Sequence, residues 1–121
     1  MGDYRRLPAW TRALGLAHAL CAALEAAGLK HAPETAAIRR AAVSVPSLVA
    51  EAHLESTREA GAVLRSALDR LDEIRALLGR DPFRSRLPEA DRTALLSEVD
   101  QVSVEVRAAA AVDAAAPGEP I

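Results

Sequence analysis

Apolar residues recur at three- and four-residue steps in four stretches of this chain, most of them bounded by proline or glycine. That spacing is the period of an amphipathic helix. The first stretch predicts a helix over Pro8 to Ala27, with Pro8 in its first turn and Gly28 just past its end. Leu7, Trp10, Leu14, Ala17, Cys21 and Leu24 form its expected inner stripe, which leaves Leu16 and Leu20 on a second contact surface. The next predicts a helix over Pro33 to Leu54, with Ile38, Ala41, Val45, Val49 and Ala52 inward and Glu34 at the positive end of the macrodipole. A third starts at Ser56, with Glu59 at capping-box spacing, and carries Ala60, Val63, Ala67, Leu71, Ile74 and Leu78 inward as far as Gly79. Leu64 and Leu68 broaden that stripe. Gly79 to Pro88, punctuated by Asp81-Pro82 and Leu87-Pro88, reads as the one clear loop. The last helix is expected over Pro88 to Ala111, with Leu95, Val99, Val102, Val106 and Ala109 inward.

Four amphipathic helices on short links are best satisfied by an all-α, antiparallel, up-and-down four-helix bundle. The bundle is expected over residues 1–112 as one domain. Residues 113–121, with proline, glycine and no periodicity, are expected to be a mobile tail. The second helix carries Pro46 in its interior, which costs about 3 kcal/mol and leaves the Ala42 carbonyl without its usual donor. A kink is expected there, with the Ser44 and Ser47 hydroxyls turned onto carbonyls one turn back. Only tertiary packing can hold such a helix, so this segment should be central to the fold.

Composition supports close helix packing. Half of the 121 residues are apolar, alanine supplies much of that share, and there is one each of Trp, Tyr and Phe. Alternating runs of β-branched or aromatic residues are few, which argues against strands. The net charge of −2 opposes strong nonspecific nucleic-acid binding. The single Cys21 excludes an internal disulfide framework and fits a reducing cytoplasm. No apolar run approaches the roughly 20 residues that span a bilayer, so no membrane is expected as a partner. Ala13 to Leu24 has the hydrophobicity of a signal-peptide core, but His18, helical periodicity and continuation into Glu25 read as an amphipathic helix.

The segment Ile38-Arg39-Arg40-Ala41-Ala42-Val43-Ser44-Val45-Pro46-Ser47-Leu48-Val49-Ala50-Glu51 resembles the second helix of the bacterial four-helix-bundle family named for large-subunit ribosomal RNA intervening sequences. Ser44, Pro46 and Glu51 are among the motif positions it shares. Tyr4, Leu7 and Trp10 are similar to the family's aromatic-x-x-Leu-x-x-Trp-like opening, and Ala67-Leu68, Leu71, Glu73 and Leu77-Leu78 to its third-helix block. Leu48 stands in place of a common asparagine, Ala52 in place of glycine, and Asp69-Arg70 in place of Gly-Ser. The resemblance implies a compact bundle, often a ring-shaped homopentamer, with no established enzymatic activity. A related branch comprises accessory proteins of diversity-generating retroelements, which bind nucleic acid through a strongly basic surface. This acidic chain departs from that branch in charge.

Arg39 and Arg40 are the first candidates for a partner contact, either as carboxylate partners on a neighbouring helix or subunit or as phosphate ligands. Adjacent helical residues point about 100° apart, so both cannot serve one ligand from one face. Glu51 lies about three turns beyond them and must find its cation elsewhere, from Arg5, Arg6, Arg58 or another subunit. Arg80, Arg84 and Arg86 are the second group, an anion-attracting loop in an oligomer or a plain solvated one. Leu16, Leu20, Leu48, Leu54 and Leu96 flank the inner stripes and are the expected subunit contacts.

Catalysis finds little support. His18 and Cys21 share a helical spacing but lack an orienting group and an oxyanion hole. His18, His31 and His53 are dispersed, and no Glu-x-x-His pair is present, so no metal or other cofactor is expected. The expectation is a cytoplasmic, non-enzymatic homo-oligomeric interaction protein that engages another macromolecule, a protein being one candidate. The alternative is an accessory factor that binds RNA or DNA through an arginine-lined face.

Overall fold

In the computed structural model, which describes residues 3–55 and 57–114, every element is helical. A single 3-10 turn, Tyr4–Arg6, leads into α1 (Pro8–Ala26), α2 (Pro33–Leu54), α3 (Thr57–Leu78), a short α4 (Phe83–Arg86) and α5 (Glu89–Ala114). Among the four long helices α1 packs on α2 and α5, and α3 packs on α2 and α5. Each therefore has two long neighbours. The start of the third helix at Ser56, and with it the capping box, lies outside the described residues, as does the tail beyond residue 114.

The α1–α2 turn shows how the sequence sets this arrangement. Gly28 adopts φ +74°, a left-handed conformation in which a Cβ is costly. The Gly28 amide donates to the Glu25 carbonyl at 3.0 Å and the Leu29 amide to the Leu24 carbonyl at 2.8 Å. That pair of bonds is a Schellman motif, and Leu24 and Leu29 are both fully buried, as its hydrophobic contact requires. The Thr35 hydroxyl, itself buried, then donates to the Leu29 carbonyl at 2.6 Å. The turn is thus tied to the first turn of α2, where Pro33 fixes the backbone without wasting a donor.

The core mixes large and small side chains. Ile38, Val45, Leu71, Ile74, Leu78, Val99 and Val102 fill it, with Ala13, Ala41, Ala42 and Ala67 between them. The inner stripe of α1 is rotated from expectation. Leu16 and Leu20 are fully buried together with Ala9, Ala13, Ala17 and Leu24, whereas Leu14 and Cys21 are only half-buried. Leu16 and Leu20 are therefore core residues of one chain and cannot be outward subunit contacts. Both registers repeat at helical spacing; the one that buries Leu16 and Leu20 in exchange for Leu14 and Cys21 removes more apolar surface from water.

The Gly79 to Pro88 connection is also more structured than a loop. It contains α4, and Phe83 and Leu87 on either side of its turn are buried at 1% and 4% exposure. Four residues are too few to show periodicity, so nothing in the spacing announces this helix. At the opposite end Tyr4 meets Trp10 edge to face, with ring centroids 5.5 Å apart. Two ion pairs reach α5 from its neighbours. Arg12 of α1 lies 3.7 Å from Glu105, and the Arg75 guanidinium joins Asp72 at 2.7 Å and Asp100 at 2.9 Å. The hydrogen bond that Arg75 donates to Asp100, with a second donated to Asp72, holds its proton more tightly than usual despite some desolvation.

Two substitutions test this frame. Phe83→Ala should destabilise the fold by about 3–5 kcal/mol, the cost of emptying a buried aromatic site. Gly28→Ala should cost about 1–2 kcal/mol through its dihedral angle, because the added Cβ would meet only the Arg86 Nη2 at 3.8 Å. Urea unfolding should show both as shifts in midpoint at constant slope.

Candidate functional site

The outer surface of α2 carries the motif residues. Arg39 is half-buried and Arg40 exposed on its N-terminal half, and Glu51 is exposed near its C-terminal end. None of the three makes an ion pair with a described residue. Arg5, one of the expected partners of Glu51, is engaged by Asp3 at 2.9 Å, and the Arg58 side chain lies outside the described residues. The Ser44 hydroxyl donates to the Ala41 carbonyl at 2.7 Å, three residues back. Pro46 is buried inside the helix.

Arg40, Ala37, Ala41 and Ser44 border a shallow recess whose opposite wall is Arg70 and Glu73 of α3. Arg70 holds the Glu73 carboxylate at 3.2 Å, so that acid already has its cation. Sequence reasoning singled out Arg70 only as a departure from the family pattern. Its place beside Arg40 depends on the rotation of α3 against α2, which the sequence alone does not fix.

At the far end of α2 the charge is reversed. The Glu55 carboxyl is pushed above its ordinary range, chiefly by a hydrogen bond to Glu59 and then by that neighbour's charge. Slight desolvation and the charge of Glu51 act in the same direction. Three acids thus gather where α2 gives way to α3.

Arg80, Arg84 and Arg86 are all exposed around α4, and none pairs with a described carboxylate. The Arg86 guanidinium lies over the Gly28 turn, near the carbonyl end of α1, where a cation is favoured by the macrodipole. Phe83 and Leu87 pin this segment to the core, so the three arginines are displayed on a fixed support.

Of the five leucines expected at subunit contacts, Leu48 and Leu96 are half-buried against the core and only Leu54 stands out, at 62% exposure. Val43 and Val104, which the stripes did not single out, are exposed at 52% and 57%. Val43 lies almost opposite the inner stripe of α2 at 100° per residue, a signal present in the sequence.

A groove of about 450 Å³ opens where the start of α1, the end of α2, the start of α3 and the end of α5 converge. Leu7, Val49, Ala52, Ala60, Leu64 and Ala109 give it an apolar lining, and His53, Glu55 and Glu105 also line it. Its size is that of a small-ligand pocket. Alanine at Ala52, Ala60, Ala108 and Ala109, where longer side chains would fill the space, leaves it open.

His18 is exposed, Cys21 half-buried, and no hydrogen bond joins them. Among the described residues no three His, Cys, Asp or Glu side chains gather as a metal would require. No described helix is long and apolar enough to cross a membrane. The chain matches no protein-family model, no curated protein and no solved structure.

The acid cluster has a pH signature. Glu55 holds its proton more tightly folded than unfolded, so it adds stability below the ordinary carboxylate range. That contribution is lost as pH rises through the raised value. Glu55→Gln should therefore raise the melting temperature at pH 7, and the gain should vanish below about pH 4. Melting curves of both proteins across that range check it.

Proposed function

We propose that this chain is a self-associating interaction protein without catalytic activity, built as an antiparallel up-and-down four-helix bundle bent at Pro46. The observation that carries the reading is the exposure of Val43 and Leu54 on α2 and of Val104 on α5, outside a core that is otherwise well filled. Val43 and Leu54 share one face of α2, and an apolar face rimmed by charged side chains suits an interface between copies or with another protein. The convergence of four helix ends on one groove, and of Arg86 on the Gly28 turn at the other end, supports the up-and-down order. The missing amide of Pro46 and the Ser44 bond to the Ala41 carbonyl support the bend. The segment Ile38 to Glu51 supports kinship with the intervening-sequence four-helix family, and the lone Cys21 supports a cytoplasmic setting.

Light scattering of the purified chain should give a particle of at least twice the 12.8 kDa chain mass, five times it if the family's ring is kept. A strict monomer over a wide concentration range would remove the reading.

A second reading rests on the unpaired arginines around α4. On it, Arg80, Arg84 and Arg86 form a nucleic-acid contact with Arg39 or Arg40, repeated around the oligomer. Gel-shift binding would then be tight at low salt and weaken steeply as salt rises. Changing Arg80, Arg84 and Arg86 to alanine would reduce binding about tenfold or more and flatten the salt dependence. Indifference to RNA and DNA at low salt leaves only the first reading.

A further inference from the structure

The outer face of α2 is self-complementary. Counted at 100° per residue from Val43, the positions Ala36, Arg39, Ser47, Ala50 and Leu54 all fall within about 40° of it, so the middle of the face is small or apolar and the half-buried Arg39 stands at the edge away from Ser47. Arg40 and Glu51 flank it about 60° and 80° round on the same side, one on each half of the helix. They stand eleven positions apart, about 16 Å along the axis. Neither can reach the other, and neither has an ionic partner among the described residues.

We propose that this face is one half of an antiparallel contact with the α2 of a second copy, related by a two-fold axis beside the middle of the helix. The proposal rests on the reading of the protein as self-associating and names the surface and symmetry of that association. A two-fold through a point between positions 45 and 46 keeps each flank on its own side and reverses the direction of the helix. It brings Arg40 of one copy to Glu51 of the other, twice by symmetry. It sets Leu54 over Ala36 and Val43 beside Ser47, a large residue against a small one in each case. An isologous contact needs this reciprocity, in which position i meets j and j meets i. The charges agree beyond the single pair. The basic end, with Arg39 and Arg40, comes to the acidic end, where Glu51 and Glu55 lie together without a cation from the described part of their own chain.

Sedimentation equilibrium on the full chain tests it through charge reversal. Arg40→Glu and Glu51→Arg alone should each weaken self-association about tenfold or more, by placing like charges face to face. The double variant, with the pair inverted, should recover most of the loss. Helical content by circular dichroism distinguishes a lost contact from a lost fold, and both residues are exposed enough to be changed without disturbing the core. A second measurement does not depend on charge. In a Cys21→Ala background, Ser47→Cys lies beside the axis and should oxidise to a disulfide-linked dimer, whereas Ser97→Cys, exposed on α5, should remain unlinked.

A wild-type chain that is monomeric throughout overturns this proposal together with the reading beneath it. A ring of five copies, which needs head-to-tail contacts, or an oligomer whose mass is unmoved by either reversal and which Ser47→Cys does not cross-link, overturns the two-fold contact alone.

Discussion

Four helices, each with a stripe only wide enough for two neighbours, must close on one another, and α2 makes the constraint most severe. It buries Ile38, Ala41, Ala42, Val45, Val49 and Ala52 between α1 and α3. It does so although Pro46 removes an amide from its ladder at a cost of about 3 kcal/mol. Burial of that row offsets the loss many times over at about 25 cal/mol per Å². The helix therefore persists through its proline because two neighbours hold it. Its remaining face is left to solvent and carries Arg40, Val43, Glu51 and Leu54.

Alanine shapes both the inside and the outside. Ala13, Ala41, Ala42 and Ala67 sit between larger side chains in the core, where small residues let backbones approach. Toward the end of the assembly of helices the same economy of side chain leaves a groove, because Ala52, Ala60, Ala108 and Ala109 do not fill what the leucines enclose. The opposite end is closed by Phe83, which enters the core from a four-residue helix. One end is plugged by an aromatic ring and the other left open.

Much of this was legible in the chain. The bounds of α2 are the expected Pro33 and Leu54, and α1 ends one residue before the expected Ala27. Proline at a first turn and glycine past a last one act locally and need no knowledge of neighbours. Where two stripes compete on one helix, spacing alone does not decide, and α1 turned to bury Leu16 and Leu20. Helix α4 was hidden because one turn has no period. On the surface, Arg40, Glu51 and Leu54 could be named from sequence, whereas the nearness of Arg70 to Arg40 required the packing of α3 on α2. Val43 stands opposite the inner stripe in the sequence, but that it faces solvent follows only from α2 having α1 and α3 as its long neighbours, which spacing does not give.

The Tyr4–Trp10 contact gives the molecule an optical property. The chain holds one tryptophan and one tyrosine, and they touch edge to face where the 3-10 turn meets α1. Light absorbed by Tyr4 passes to Trp10 over so short a gap, and emission from the indole reports a single locus. Leu7, between the two rings in sequence, lines the open groove, so the pair stands at that end of the molecule. Intrinsic fluorescence thus follows the undocking of the amino-terminal turn, while events at the Phe83 end leave it unchanged.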